Sequence, residues 1–170
     1  MTHISTGVEY GLHCLLYLVN LPKGISNPSV RDLAELQGVP IEYLAKVFNK
    51  LRKAGLVNAT EGVSGGYRLA RPSENITVLD VVRAIDGQKG IFDCKNIRGR
   101  CAVFIGQSSA WASQGTCKIS SIMYEAQTRL EESLAMHTLA HLTYQVIASE
   151  PVEHQDSVMT WLQRRRQYRH

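Results

Sequence analysis

Between positions 29 and 72 the apolar residues change their spacing, and the change predicts an architecture. In VRDLAELQG and then PIEYLAKVFNKLRKAG they recur every three or four residues, as in two amphipathic helices joined by a turn at Gly38-Val39-Pro40. Past Gly55, Leu56-Val57 and Tyr67-Arg68-Leu69 read as short strands, with Gly62-Val63-Ser64-Gly65-Gly66 as the flexible loop between them. The stretch is a helix-turn-helix followed by a wing. Its second helix puts Leu44, Val47, Phe48, Leu51 and Ala54 on one side and Tyr43, Lys46, Asn49, Lys50 and Lys53 on the other. One side docks on a core, and the other can meet phosphates and base edges. Pro40 suits a first helical position, and Gly55 suits a left-handed cap. Gly65 and Gly66 would let the backbone come close to a sugar-phosphate surface. The plainer alternative is a helix-turn-helix used only for packing.

The same periodicity organises the rest of the chain. Ser5 is placed to cap a first helix that runs to about Asn20, with Val8, Leu12, Leu15 and Val19 on one stripe and Tyr10, Cys14, Tyr17, Leu18 and Leu21 on another. A helix apolar nearly all round is buried on two sides, and a partner subunit is the expected second neighbour. Cys14 inside that pattern reads as a small buried hydrophobe. Glu9, the helix's sole acid, reads either as a solvated carboxylate favoured by the N-terminal dipole or as a functional group. Residues 21–28 form a connector rich in Pro, Gly and Asn. Thr77, with Asp80 three residues on, caps a helix with Leu79, Val82, Ala84 and Ile85 on its apolar side, and Gly87 ends it.

From Gln88 to Thr116 the helical signal fails. From Cys117 it returns as a long helix with Ile119, Ile122, Met123, Ala126, Leu130 and Leu134 on one stripe. Little of the chain remains to cover that stripe, which predicts a homodimer helix; the alternative is packing back on its own monomer. Thr138 begins a short helix to about Ala148. The expected fold is mainly α with a small β-wing. It divides into a winged helix-turn-helix domain (1–87), a cysteine-bearing loop (88–116), a dimerisation helix with a short helix after it (117–148), and a flexible basic tail (149–170).

Charge sharpens the picture. The 170 residues carry a net charge of only +4. Residues 1–72 hold eight Lys or Arg against five Asp or Glu, residues 73–162 hold seven against ten, and four arginines crowd the last eight positions. The excess is local to the winged segment and the tail, as expected if those parts meet an anion. There is no leader pattern and no apolar run of about 18 residues, so a cytoplasmic protein without membrane contact is expected. No Ser/His/Asp grouping, Gly-Lys-Ser/Thr loop or His-Glu-x-x-His helix points to an enzyme.

In a reducing cytosol, cysteines serve metal binding or redox sensing more often than structural disulfides. Cys94, Cys101 and Cys117 stand as C-x6-C-x15-C in and beside the long loop. A loop of that length is uncommon in a compact domain unless it is functional, disordered or organised by something it binds, and three thiols suggest a bound metal centre.

In combination, Gly7-Val8-Glu9-Tyr10-Gly11, LAELQGVPIEYLAKVFNKLRKAGLV, the wing GVSGGYRLARP and ITVLDVVRAIDG, followed by the cysteine loop and long helix, resemble one family. It is the iron-sulfur cluster regulator family of bacterial winged-helix transcription factors, the IscR/NsrR type, and the resemblance runs from Ile4 to about Val146. It implies a cytosolic homodimer on palindromic promoter DNA, with a cluster held by three cysteines matching Cys94, Cys101 and Cys117. It also implies a further ligand near the partner's N-terminus, where Glu9 stands. The second cysteine gap is longer here than in many members, and Gln37 occupies the neighbourhood where a subset carries a histidine ligand.

Thiolates suit zinc as well as iron-sulfur clusters, but structural zinc usually shows a short C-x2-4-C pair, which this chain lacks. A 2Fe-2S cluster is therefore the preferred cofactor, with 4Fe-4S as the other cluster type. The competing expectation is a metal-free regulator switched by thiol chemistry or a small ligand. Expected DNA contacts are Glu42, Tyr43 and Lys46 at the start of the recognition helix, with Asn49, Lys50 and Lys53 along it. Ser29 and Arg31 are assigned to backbone phosphate, and Ser64 and Arg68 to the wing. Glu61 departs from the basic residue that family wings often carry, and a carboxylate gains nothing from a narrow minor groove.

Overall fold

A computed structural model describes residues 4–19, 21, 27–60, 62, 65–95, 97–100, 102 and 117–167. Cys101, Glu61 and Ser64 lie outside the described residues. The chain divides into two compact units, one of residues 4–88 with 134–170 and the other of residues 89–133 with 1–3.

In the first unit, α1 (Thr6–Val19), α2 (Val30–Gln37) and α3 (Ile41–Lys53) precede a two-stranded antiparallel sheet, β1 (Val57–Thr60) and β2 (Gly66–Leu69). Then come α4 (Val78–Asp86), α6 (Leu139–Ser149) and α7 (Val152–Gln167). Helix α5 (Lys118–Ala135) belongs to the second unit apart from its last two residues.

The helix ends follow local chemistry. Ser29 caps α2 and Thr77 caps α4, each in a reciprocal capping box with Asp32 or Asp80. Gly38 (φ 65°) and Gly55 (φ 69°) adopt the left-handed conformation that turns the chain after α2 and α3. Pro40 stands one position earlier than expected, at the N-cap of α3 rather than inside its first turn. Val57 pairs with Leu69 and Thr60 with Gly66 across the wing.

The core of this unit is Val8, Cys14, Leu15, Leu18, Leu33, Leu44, Val47, Phe48, Leu51, Leu56, Val57, Ile76, Val81, Ile85 and Leu139, all buried. Phe48 meets Tyr67 edge to face at 4.8 Å, which fixes the wing on the recognition helix. Gly11 makes the close approach of α1 to α4 and α3 possible, since a Cβ there would lie 2.7 Å from Ile85 Cδ1 and 3.4 Å from Val47. Ser5 donates from both N–H and hydroxyl to the Asp86 carboxylate, at 2.8 and 2.5 Å, joining the start of α1 to the end of α4.

Three expectations change. The second neighbour of α1 was expected in a partner subunit, yet α6 of the same chain packs there. The opening of α6 is stitched to the α4 entry by Val78 N–H to His137 O and Leu139 N–H to Ile76 O, 2.8 and 2.9 Å. Residues 149–170, expected as a flexible tail, contain the 16-residue helix α7. Of its apolar residues, Val152, Val158, Met159, Trp161 and Leu162, those that are buried are Val158 and Leu162, four residues apart. Finally, Gly66 gives close approach to this chain's own backbone, since a Cβ there would lie 2.0 Å from Asn27 O. Tyr67 N–H donates to Pro28 O beside it, so that glycine serves the fold rather than a sugar-phosphate surface.

Candidate nucleic-acid interface and cysteine centre

Helix α3 buries Leu44, Val47, Phe48 and Leu51, which turns the expected recognition face outward. Glu42, Lys46, Asn49 and Lys53 are exposed on it, as Arg31 is on α2 and Arg68 on β2. Tyr43 is 38% exposed and set edge-on to Tyr10 at 5.8 Å, so α1 braces it. Arg52, missing from the expected set, donates to Asn49 Oδ1 at 3.3 Å and orients that amide. Its place on the helical wheel beside Asn49 was the available signal.

Two expected contacts have other work. Lys50 Nζ donates to Ile85 O at 2.6 Å, spending its charge on the C-terminal end of α4. The Ser29 hydroxyl is committed to Asp32 as a cap, so a phosphate could reach only the outside of this helix start. Ser64 falls outside the described residues.

Of the expected cluster ligands, Cys94 and Cys117 belong to the second unit, both partly exposed and both free thiols. Cys117 immediately precedes α5, and its sulfur accepts the backbone N–H groups of Ser120 and then Ile119. These N–H groups, with the Arg98 charge, hold its pKa below the ordinary thiol value. Cys14 is the opposite case: burial pushes its thiol up to about 12. Gln127 of α5 accepts from Ile91 N–H at 3.2 Å and donates to Glu131 at 2.9 Å, tying the segment before Cys94 to the helix. Glu9 is exposed on α1, in the first unit. Among the described residues no three His, Cys, Asp or Glu side chains gather as a metal site, and Cys101 is not one of those residues.

Thiolate character is what an iron-sulfur or other soft metal centre requires of its ligands. Cys117, with sulfur lone pairs stabilised at a helix N-terminus and Cys94 in the same unit, fits that chemistry. Helix α5 leaves Ile119 60% and Ile122 66% exposed, with Met123 and Leu130 along the same stripe.

An outward, cationic second helix of a helix-turn-helix, carrying a two-stranded wing, defines a winged-helix DNA-binding protein. The model of the Rrf2 family, described as iron-dependent transcriptional regulators, matches residues 4–145, and the chain belongs to this family. The Rrf2 protein of Nitratidesulfovibrio vulgaris Hildenborough is 32% identical over 140 residues, 82% of this chain and 85% of that protein. The structure of IscR from T. potens, 27% identical, aligns over 88% of this chain and 92% of its own with a TM-score of 0.63. That of CymR, the global cysteine regulator of B. subtilis, is 23% identical and aligns over 85% and 98% with a TM-score of 0.64, a likeness of fold. The protein is thus a transcriptional regulator and not an enzyme. Among the described residues no helix is long and apolar enough to cross a membrane.

Proposed function

We propose that this regulator acts in the cytoplasm as a homodimer on a palindromic operator, its occupancy switched by a 2Fe-2S cluster. The observation that carries the reading is Cys117, a thiol with a lowered pKa immediately before the helix whose apolar stripe is uncovered. Cys94, Cys101 and Cys117 would hold the cluster, with Glu9 contributed by the second subunit. When bound, such a cluster supplies a redox couple and a ligand set that iron, oxygen or nitric oxide can disturb.

The chain's own residues do the rest. The Cys117 sulfur that would hold the metal is the same sulfur that faces the N–H groups of Ile119 and Ser120, so ligation there would bear on the start of α5. Ile119 and Ile122, within that first turn and the next, form the dimer seam. A change at Cys117 therefore reaches the dimer geometry directly. Two recognition helices must meet half-sites one helical turn, about 34 Å, apart, so a small change of dimer angle selects for or against DNA. Lys46, Asn49, Lys53, Arg31 and Arg68 supply the contacts.

The test is affinity for a duplex selected by the protein from random DNA. Cluster-loaded protein and the Cys117→Ser variant should differ by about tenfold or more, a typical allosteric coupling. Equal affinities for loaded, stripped and variant protein would overturn the switch. A second reading, a metal-free thiol switch, is favoured by the partial exposure and lowered pKa of Cys117. It predicts a colourless protein whose DNA affinity still changes on mild oxidation.

A further inference from the structure

A cavity of about 360 Å³ opens between α1, α6 and the start of α7, wholly within the winged unit. That volume suits a small organic molecule. Part of its wall, Val146 to Met159, lies beyond residues 4–145 that match the family model. Leu16, Val146, Val158 and Met159 make an apolar lining. Among the described residues the charged ones of the lining are both acidic, Glu150 and Asp156, and His13 lines it too; no described Lys or Arg does. Thr143 adds a second, independent sign of a ligand. It lines the cavity, is 6% exposed, and its Oγ1 is buried without a hydrogen-bond partner. Native structures seldom leave such a hydroxyl unmatched.

The cavity is also wired to the DNA-binding motif. Tyr17, which lines it, lies beside Gln37, the last residue of α2. Helix α7, which supplies one wall, packs on α2 and pairs Arg165 with Glu35. Anything wedged between α1, α6 and α7 bears on the helix-turn-helix from two points.

We propose that this cavity is an effector site for a small organic cation, a protonated amine on an apolar body. The ammonium sits against Glu150 and Asp156 and is accepted by Thr143 Oγ1, while the body lies on Leu16, Val146, Val158 and Met159. The proposal does not depend on the cluster, which concerns the other unit.

The full-length protein is titrated calorimetrically with tryptamine, and with neutral 3-ethylindole and anionic indole-3-propionate as matched probes. Tryptamine should bind at least tenfold more tightly than either. Glu150→Gln should weaken it at least tenfold. Thr143→Val should weaken it while raising the melting temperature of the free protein, because an unpartnered buried hydroxyl is removed. Saturating tryptamine should also shift affinity for the selected duplex at least threefold. Absence of binding, equal binding of the three probes, or full tryptamine affinity in Glu150→Gln would overturn the site. Unchanged DNA affinity at saturation would overturn its effector role.

Discussion

Cys14 and Cys117 carry the same thiol in opposite surroundings, and the contrast runs through the two units that hold them. Around Cys14 the winged unit is closed: fully buried side chains, paired caps, and a thiol whose pKa burial pushes up to about 12. Around Cys117 the second unit is open: a thiol lowered by helix N–H groups, and large apolar side chains of α5 facing out. The first unit carries a closed core of its own. The second offers ligands and apolar surface that have no counterpart within the described chain, which is what a part built to receive a ligand and a second copy should look like.

The contrast can be broken most severely at the closed end. Phe48, fully buried and set against Tyr67, should cost about 3–5 kcal/mol of stability as Phe48→Ala, read by denaturant unfolding. A loss below about 1 kcal/mol would mean that the winged unit is not packed as described.

The thiols themselves give the next largest effect. Iodoacetamide on metal-free protein near neutral pH should label Cys117 about a hundredfold faster than Cys14, by peptide mass analysis. A lowered pKa keeps the thiolate populated as pH falls, so Cys117 labelling should decline only below the pH range of an ordinary thiol. Cys14 should gain reactivity only as pH approaches about 12. Equal rates would erase the distinction.

At the open end, Ile122→Glu places a charge on the exposed stripe of α5. It should weaken dimerisation by about tenfold or more in sedimentation, roughly 1.4 kcal/mol, and leave the unfolding of the winged unit unchanged. An unaltered dimer would remove α5 from the seam. The smallest effect separates two lysines of one helix. Lys46→Ala should flatten the salt dependence of DNA binding by about one unit of slope. Lys50→Ala should leave the slope alone, because its ammonium is held by Ile85 O.

Much of the closed unit was legible because its signals are local. The spacing of Leu44, Val47, Phe48 and Leu51, the Thr77 to Asp80 box and Gly55 each specify a piece of backbone without reference to the rest. What escaped depends on tertiary partners. Gly66 resembles any loop glycine until the backbone of Asn27 is placed against it. Lys50 looks like its neighbours on the helical wheel until α4 arrives beneath it. Helix α7 sets its apolar positions among charged ones without a clear stripe, and its buried Val158 and Leu162 acquire meaning only in the folded unit. At the cysteine centre the residue types were readable, and the lowered pKa of Cys117 was not, because it comes first from the N–H groups of the helix start.

The most direct test of the central claim is an absorption spectrum of anaerobically purified protein, with iron and sulfide assayed on the same sample. The account predicts visible charge-transfer bands, iron equal to sulfide, and loss of both in Cys94→Ser and Cys117→Ser. A wild-type protein that stays colourless after anaerobic reconstitution, or a Cys117→Ser variant that keeps its colour and iron, would contradict it.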